Sequence, residues 1–272
     1  MKGSTLPKKA HFMDYFSSEH INPFDENNPD FWMKAEHLGR YLYAAHALKK
    51  HHKARPNLDP TSALNTHLDI GCATGYGLHC LTHITKNVTG IDYDKKALEQ
   101  AAQNCPDAAL HHLDIDKRPL TSLQSQPFAT LTAFEVLEHL ENPQQAAHDM
   151  FAITQKGGLV LASFPNPRYE RLNETGTPEN PYHHHAQTLE ESKTMFENAG
   201  FKVKNILGQP LCNRLFSRER NLYKNNTIPE KPFSSPELNT PERLHSLAHL
   251  LAWPEEANPQ KSYTFIFELT KI

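Results

Sequence analysis

Acidic and histidine side chains lie close together in one short segment of the chain. Glu135, Glu138 and His139 belong to the stretch Phe134-Glu-Val-Leu-Glu-His-Leu140, directly after a run that is typical of a buried strand. If residues 135–140 form a helical turn, the i, i+3, i+4 spacing places these three side chains on one face. Two carboxylates and an imidazole can bind a divalent cation or transfer protons. A solvated helix face explains the same residues, so both interpretations stay open.

A histidine-rich segment follows in Glu179-Asn-Pro-Tyr-His-His-His-Ala-Gln-Thr188. It comes after the fifth predicted strand, and ligands of a doubly wound sheet bind at the carboxyl ends of the strands. His139 and His185 are therefore candidate general bases, and His183 is a candidate metal ligand. An exposed polar loop is the alternative interpretation of the same histidines.

A glycine-rich turn stands earlier in the chain, in His67-Leu-Asp-Ile-Gly-Cys-Ala-Thr-Gly-Tyr-Gly77. Glycine lets the backbone approach a ligand, and the helix that follows offers free N–H groups. The next strand-like segment, Val88-Thr-Gly-Ile-Asp92, ends in an acid about 20 residues further on, which suits hydrogen bonds to ribose hydroxyls. The spacing is neither that of a dinucleotide fingerprint nor that of a P-loop. The pattern predicts a site for a nucleoside-bearing cofactor.

Segments typical of strands and helices alternate after residue 64, which predicts an α/β fold with a doubly wound parallel sheet and helices on both faces. The predicted strands are 65–70, 87–92, 108–113, 128–134 and 158–163. The predicted helices are 76–85, 94–104, 143–153 and 188–199, preceded by an N-terminal helix that ends near Lys53.

The length of 272 residues fits a single domain, 1–272, with insertions. We expect an N-terminal helical cap at 1–55 and a core formed by 64–208 and 262–271. The proline-rich stretch 209–261 is interpreted as an insertion with one short helix near 241–252.

Asp69, Gly71, Ala73 and Gly75, together with Asp92, resemble motifs I and II of the class I S-adenosylmethionine (SAM) dependent methyltransferases. The family pattern is D-x-G-x-G-x-G, and an alanine replaces one glycine here. The stretch from Gln155 to Asn166 resembles the K-P-G-G turn and fifth strand of the branch that contains ubiquinone-pathway and sugar-pathway O-methyltransferases. This resemblance implies a Rossmann-like, seven-stranded, mainly parallel sheet in which 201–207 and 262–270 pair as an antiparallel edge hairpin.

The resemblance also implies SAM as the cofactor. Arg40 is expected at the cofactor's carboxylate, Asp114 and Ile115 at its adenine, and Phe134 at its sulfur end. The cofactor-binding residues that the resemblance implies are Arg40, Asp69, Gly71, Ala73, Gly75, Asp92, Asp114, Ile115 and Phe134.

His183 and His185 match an N-P-[YF]-H-x-H segment of sugar-associated members, which implies a small-molecule or glycan-precursor acceptor. Transfer to a hydroxyl is the first choice, and transfer to nitrogen or carbon is the second. The small-RNA ribose 2′-O-methyltransferases are similar too, and they hold a metal with E-x-x-E-H and a later histidine. The corresponding metal set in this chain is Glu135, Glu138, His139 and His183. Two further alternatives are a SAM-binding module without catalysis and, disfavoured by glycine spacing, a nicotinamide-dependent dehydrogenase.

The chain has 28 basic and 31 acidic residues, a formal charge of −3, which gives no electrostatic argument for nucleic acid. Its four cysteines show no C-x-x-C spacing, and the N-terminus lacks the apolar region of a signal peptide. No apolar run approaches the ~20 residues of a membrane helix. We therefore expect a cytoplasmic protein without membrane insertion, and the sequence leaves the oligomeric state open.

Overall fold

This computed structural model describes residues 21–25, 31–54, 65–85, 87–123, 127–209, 211–228, 240–256 and 258–272. Strands within these ranges form one sheet with the order β3-β2-β1-β4-β5-β7-β6. The strands are β1 Thr66–Ile70, β2 Asn87–Asp92, β3 Ala109–His112, β4 Phe128–Phe134, β5 Thr154–Pro165, β6 Phe201–Gln209 and β7 Thr264–Lys271.

The sheet is parallel from β3 to β5, and β7 runs antiparallel to both of its neighbours, β5 and β6. Every residue of β4 is buried, as expected for a central strand covered on both faces. The predicted α/β sheet with an antiparallel edge is confirmed. Strand β5 begins earlier than predicted, at Thr154, and ends at Pro165.

Helices cover both faces of the sheet. They are α1 Phe31–Lys53, α2 Tyr76–Leu81, α3 Lys95–Asn104, α4 Pro143–Ile153, α5 Leu189–Asn198, α6 Leu211–Lys224 and α7 Pro241–Leu251. A capping box begins α5, where Thr188 and Glu191 exchange side-chain and backbone hydrogen bonds. Among the described residues, no helix combines the length and the apolar character needed to cross a membrane.

The stretch between β6 and β7 leaves and returns at one edge of the sheet, because Gln209 and Pro165 both pair with Thr264. That edge holds the carboxyl ends of the parallel strands. Helix α6 was not predicted, because Pro210 and Pro229 on either side of the proline-free run 211–228 are typical of a loop.

Helix α7 packs on α1, where a Cβ at Gly39 would lie 2.5 Å from the carbonyl oxygen of Ala252. Helix α6 also contacts α1, where the Trp32 indole donates a hydrogen bond to the Glu219 carboxylate at 2.9 Å. The helices of the insertion thus hold α1 in place. The division into cap, core and insertion stays a prediction.

Candidate functional site

A cavity of about 720 Å³ opens at the carboxyl ends of β1, β2 and β4. Helix α1 lines one side of it, and residues 180–184 line another. Seven of the nine residues predicted to bind the cofactor line this cavity, namely Arg40, Gly71, Ala73, Asp92, Asp114, Ile115 and Phe134. The structure therefore brings together residues that are far apart in sequence.

The glycine turn follows β1 and uses left-handed backbone at three positions, with φ of 70° at Gly71, 45° at Ala73 and 79° at Gly75. The N–H groups of Gly71 and Cys72 both donate to the carbonyl of Ile91 at 2.9 Å, which ties the turn to β2. Ala73 keeps the turn although an L side chain rarely adopts such a φ.

Gly75 supports the turn from behind and is not among the residues that line the cavity. A Cβ at this position would lie 2.9 Å from the Cα of Ala101. Glycine is therefore required for α2 to begin this close to α3.

Asp69 also lies beneath the turn, fully buried and outside the cavity lining. Its carboxylate accepts hydrogen bonds from the hydroxyls of Tyr41, at 3.0 Å, and of Thr132, at 2.6 Å. Burial raises the pKa of Asp69 to about 7, although these two hydroxyls oppose the shift. Asp69 joins β1, β4 and α1 rather than lining the cavity.

Asp92 lies at the end of β2 and faces the cavity. Its two carboxylate oxygens accept hydrogen bonds from the backbone N–H groups of Ala73, at 2.8 Å, and Asp94, at 2.9 Å. Each carboxylate oxygen has a second lone pair, so Asp92 can still accept hydrogen bonds from ribose hydroxyls.

Asp114 and Ile115 follow β3 and line the same end of the cavity. A hydrogen bond from Lys117, at 2.5 Å, is the main cause that lowers the pKa of Asp114. The carboxylate is about one third exposed, at 32%.

Arg40 lies buried at the opposite end, where α1 meets the end of β6. One guanidinium nitrogen donates to the side-chain oxygen of Gln209 at 3.0 Å, and Nε has no partner among the described residues. Burial lowers the pKa of Arg40, but nearby groups outweigh this effect and raise the pKa above its ordinary value. The largest of these contributions comes from the Glu135 carboxylate. A buried guanidinium with a free N–H fits the carboxylate of a ligand.

The rings of Tyr76 and Phe134 line the cavity between these two ends, and Tyr41 packs against both from outside the cavity lining. The Tyr41 ring meets those of Tyr76 and Phe134 edge-to-face, at centroid distances of 5.2 and 5.1 Å. His37 contributes an Nδ1 that lies 2.8 Å from the Tyr76 hydroxyl. Burial, reinforced by Arg40, lowers the pKa of His37 and keeps this ring neutral.

The predicted helical face for Glu135, Glu138 and His139 is wrong. Only Leu137–His139 forms a 3₁₀ turn, and Glu135 has a left-handed φ of 53°. The Glu135 carboxylate instead accepts a hydrogen bond from the Ser163 hydroxyl at 2.6 Å. A 3₁₀ turn that starts after Glu135 removes it from the i, i+3, i+4 pattern.

Glu138, His139 and His183 converge at the cavity wall, and we call them the Glu–His–His cluster. One ligand atom from each lies within 4.8 Å of the others, and no other such group of three occurs among the described residues. The Glu138 carboxylate is 1% exposed and lies 3.8 Å from Nε2 of His139. The rings of His139 and His183 are 4.9 Å apart.

The partners of the two rings fix which nitrogen carries hydrogen. Nδ1 of His139 lies 2.9 Å from the carbonyl oxygen of Tyr182, which can only accept. Nδ1 of His183 is hydrogen-bonded to the carboxylate of Glu170. In the neutral rings both Nε2 atoms therefore carry a lone pair, as a metal ligand or a general base must.

His185 lies outside this cavity, although it was predicted as a general base. Its Nε2 is 3.3 Å from the carbonyl oxygen of Glu141, and its side chain lines a separate shallow hollow beside α5. The chain turns between His183 and His185, because the N–H groups of His184 and His185 both donate to the Glu138 carbonyl.

Sequence reasoning missed Glu170, Tyr41 and Gln209. Glu170 belongs to a polar loop in which no spacing distinguishes it from the neighbouring acids. Tyr41 and Gln209 contact Asp69 and Arg40 only because the middle of α1 and the end of β6 pack beside the site. Helical periodicity marks Tyr41 as buried, but a core position looks the same in sequence.

The sheet order, the glycine turn and the acid at the end of β2 together define a class I SAM-dependent methyltransferase fold. A model of the methyltransferase domain family matches residues 36–206, more than half of the chain. The chain belongs to this family.

Two relatives illustrate the range of similar sequences. A protein of Mycolicibacterium smegmatis named as a probable SAM-dependent methyltransferase is 30% identical over 141 residues, covering 52% of this chain and 53% of that protein. A ubiquinone biosynthesis O-methyltransferase of Albidiferax ferrireducens is 30% identical over 102 residues, covering 36% and 40%. The chain thus spans about half the length of the first of these relatives and less of the second.

Solved structures share the fold at low sequence identity. The N-methyltransferase NodS of Bradyrhizobium japonicum, in complex with S-adenosyl-L-homocysteine (SAH), has a TM-score of 0.52 at 14% identity, covering 95% of both chains. The [4+2]-cyclase SpnF has a TM-score of 0.52 at 15% identity, covering 84% of this chain and 81% of its own. Since proteins named for different activities share this fold, the fold alone does not determine the reaction.

Proposed function

We propose that this protein transfers the methyl group of SAM to a hydroxyl of a small-molecule or glycan-precursor acceptor. The observation that carries the proposal is the position of the Glu–His–His cluster on the wall of the cavity that also contains Asp92 and Phe134. SAM supplies an electrophilic methyl group on a sulfonium, and the protein supplies alignment of the reacting atoms.

The residues that line the cavity support binding of the cofactor. We expect Asp92 to accept hydrogen bonds from ribose hydroxyls, and Asp114 with Ile115 to contact adenine. The free Nε of Arg40 suits the carboxylate of the amino-acid end. Gly71 and Ala73 let the backbone pass close to the ligand, while Asp69 and Gly75 hold the turn from below.

The charge of the cavity favours an uncharged acceptor over a polyanion such as RNA. Six carboxylates and one guanidinium line it within the described residues: Glu36, Asp92, Asp114, Asp116, Glu135 and Glu138, against Arg40. Like charges repel a phosphate backbone, whose binding needs cationic side chains.

A hydroxyl becomes a good nucleophile only when its proton is removed. Glu138, His139 and His183 provide the carboxylate and imidazole donors that suit Mn²⁺, Fe²⁺ or Zn²⁺. A divalent cation held by this cluster would lower the pKa of a nearby hydroxyl. Without a cation, Nε2 of His139 or His183 accepts the proton directly, and the contact between His183 and Glu170 suits both versions.

The test uses methyl-labelled SAM and a panel of neutral glycosides, catechols and amines, with mass spectrometry of the labelled product. We expect label on a hydroxyl oxygen, where it survives mild alkali that would cleave a methyl ester. Label found only on nitrogen or carbon would contradict the proposal. Chelator treatment followed by Mn²⁺ or Zn²⁺ addition separates the two versions, because only the metal version loses and regains turnover.

A SAM-binding module without catalysis needs no group that activates a nucleophile. The Glu–His–His cluster therefore favours an enzyme. Tight binding of SAH without methyl transfer to any acceptor of the panel or of a whole metabolite extract would favour the module instead.

A further inference from the structure

Glu170 is a buried carboxylate that contacts one ring of the Glu–His–His cluster. Its side chain is 8% exposed, and Oε1 is hydrogen-bonded to Nδ1 of His183. We propose that Glu170 is a positioning residue, which keeps the hydrogen of His183 on Nδ1 and thereby presents the Nε2 lone pair to the cluster. The inference rests on the proposed function, since it concerns how a hydroxyl-activating group is held.

The chemistry of the contact determines the direction of the hydrogen bond. An ionised carboxylate has only acceptors, so the shared hydrogen belongs to the imidazole. A carboxylate behind an imidazole also makes the opposite nitrogen a stronger electron donor, as in carboxylate–histidine pairs at metal and catalytic sites. His139 has a weaker, uncharged partner in the Tyr182 carbonyl. His183 is therefore the stronger donor of the two rings.

The loop after β5 holds Glu170 at a defined position. The Asn166 side-chain amide donates to the carbonyls of Gln260 and Ser262, at 3.1 and 2.7 Å, and its oxygen accepts from the N–H of Arg168 at 3.0 Å. The Tyr169 hydroxyl donates to the Lys261 carbonyl at 2.9 Å. These bonds join the start of the loop to the segment that enters β7.

The loop then folds back and brings His183 to Glu170. Leu172 and Pro178 form a β-bridge, and the N–H of Glu179 donates to the Arg171 carbonyl at 2.8 Å. Beyond the fold, the N–H of His184 donates to the Glu138 carbonyl at 2.8 Å. The contact between Glu170 and His183 is thus fixed from both sides.

The second oxygen of Glu170 argues against a purely structural role. Oε2 is buried and has no hydrogen-bond partner among the described residues. A buried carboxylate with an unused oxygen is unfavourable for folding. A neutral side chain of the same shape would fill the space with a smaller desolvation penalty. We therefore assign the carboxylate a role in its hydrogen bond with His183.

The test measures the His183 tautomer by ¹⁵N NMR of the histidine-labelled full-length protein at neutral pH. His183→Ala identifies the signal. We expect the Nδ1–H form in the wild type and in Glu170→Gln, whose side-chain oxygen can still accept. Glu170→Ala should produce a mixture that contains Nε2–H. Glu174→Gln, an exposed acid of the same loop, is the matched control and should leave the tautomer unchanged.

Metal titration with Mn²⁺ gives a second readout. If the cluster binds Mn²⁺, Glu170→Ala should weaken it by about 10 to 100-fold, and Glu174→Gln should have no effect. An Nε2–H tautomer in the wild type, or an unchanged tautomer in Glu170→Ala, would overturn the inference. The wild-type spectrum remains decisive even if Glu170→Ala fails to fold.

SAH titration of the same samples keeps this inference separate from the proposed function. If the wild type does not bind SAH, the proposed function alone is contradicted. Normal SAH binding together with an unaltered tautomer in Glu170→Ala would contradict the role of Glu170 alone.

Discussion

The carboxylate of Asp92 accepts a hydrogen bond from the backbone N–H of Ala73 at 2.8 Å. This bond joins the acid at the end of β2 to the turn after β1, and both residues line the cavity. The residue expected to bind ribose therefore also stabilises the turn that approaches the cofactor. A substitution at Asp92 combines both effects, so its test needs a control for stability.

Asp92→Ala should weaken SAM and SAH binding by about 1.5–3 kcal/mol, because hydrogen bonds to a charged group are lost. Isothermal titration calorimetry measures the change. Asp94→Ala is the control: it removes the side chain that accepts from the Lys96 N–H at the start of α3. This variant should lose about 0.5–2 kcal/mol of stability and keep its affinity. Equal affinity in Asp92→Ala and wild type would remove Asp92 from the site.

The turn itself can be tested with two opposite substitutions. Gly75→Ala should destabilise the protein by roughly 2 kcal/mol or more, since the new Cβ meets the backbone of Ala101 at a left-handed φ. Ala73→Gly should be neutral or stabilise by up to about 1 kcal/mol, because relief of the left-handed alanine outweighs the entropy of glycine. Urea unfolding measures both. A more stable Gly75→Ala would show that the turn differs from the one described.

Arg40 is expected to recognise only the amino-acid end of the cofactor. Arg40→Lys should weaken SAH binding by about 1.5–3 kcal/mol, since lysine lacks the planar fork. Methylthioadenosine, which has no carboxylate, should bind both proteins equally. Arg118→Lys, an exposed substitution, serves as the control. An equal loss for both ligands would place Arg40 in folding rather than in recognition.

Two buried groups with opposite shifts should control the pH dependence of stability. Burial raises the pKa of Asp69 to about 7, above its unfolded value of about 4. Its contribution to the free energy of unfolding is complete below pH 4 and disappears as pH rises through 7. Burial lowers the pKa of His67 to about 3, so its contribution is present above about pH 6.5 and is lost as pH falls.

Asp69→Asn isolates the first of these effects. The stability advantage of the wild type over Asp69→Asn should shrink as pH rises from 4 to 8, measured by urea unfolding at each pH. A difference that stays constant over this range would show that Asp69 does not titrate with a raised pKa.

The histidines should differ sharply in their effect on turnover. His139→Ala and His183→Ala should each reduce turnover by about 10² to 10⁴-fold, the usual contribution of a proton-transfer group. His185→Ala should keep full turnover, because His185 lies outside the cavity. Initial rates with the acceptor found in the label-transfer screen provide the measurement. Full activity in both His139→Ala and His183→Ala would mean that alignment alone drives the reaction.

Local patterns in the sequence were sufficient to predict the sheet, most helices and a set of residues that line one cavity. The turn after β1 and the acid after β2 lie directly at strand ends, and parallel strands bring their carboxyl ends to one edge. Asp92, Asp114 and Phe134 lie at or just after the ends of such strands, so the predicted strands and their parallel order already place them at the cavity. The predicted α4, 143–153, agrees with Pro143–Ile153 for the same reason, since its Asn142 cap and Pro143 start are local signals.

The arrangement of Glu138, His139 and His183 was decided by tertiary structure. The sequence places Glu135, Glu138 and His139 in one helical turn, but a left-handed residue turns Glu135 away towards Ser163. Loops have no period that would show which side chain faces inward. The sequence therefore could not predict that His183, rather than His185, lines the cavity. The partner of His183 is Glu170, which lies 13 residues earlier in the chain and meets His183 because the loop folds back. Strand ends follow from short-range chemistry, whereas the contacts of a long loop depend on everything against which it packs.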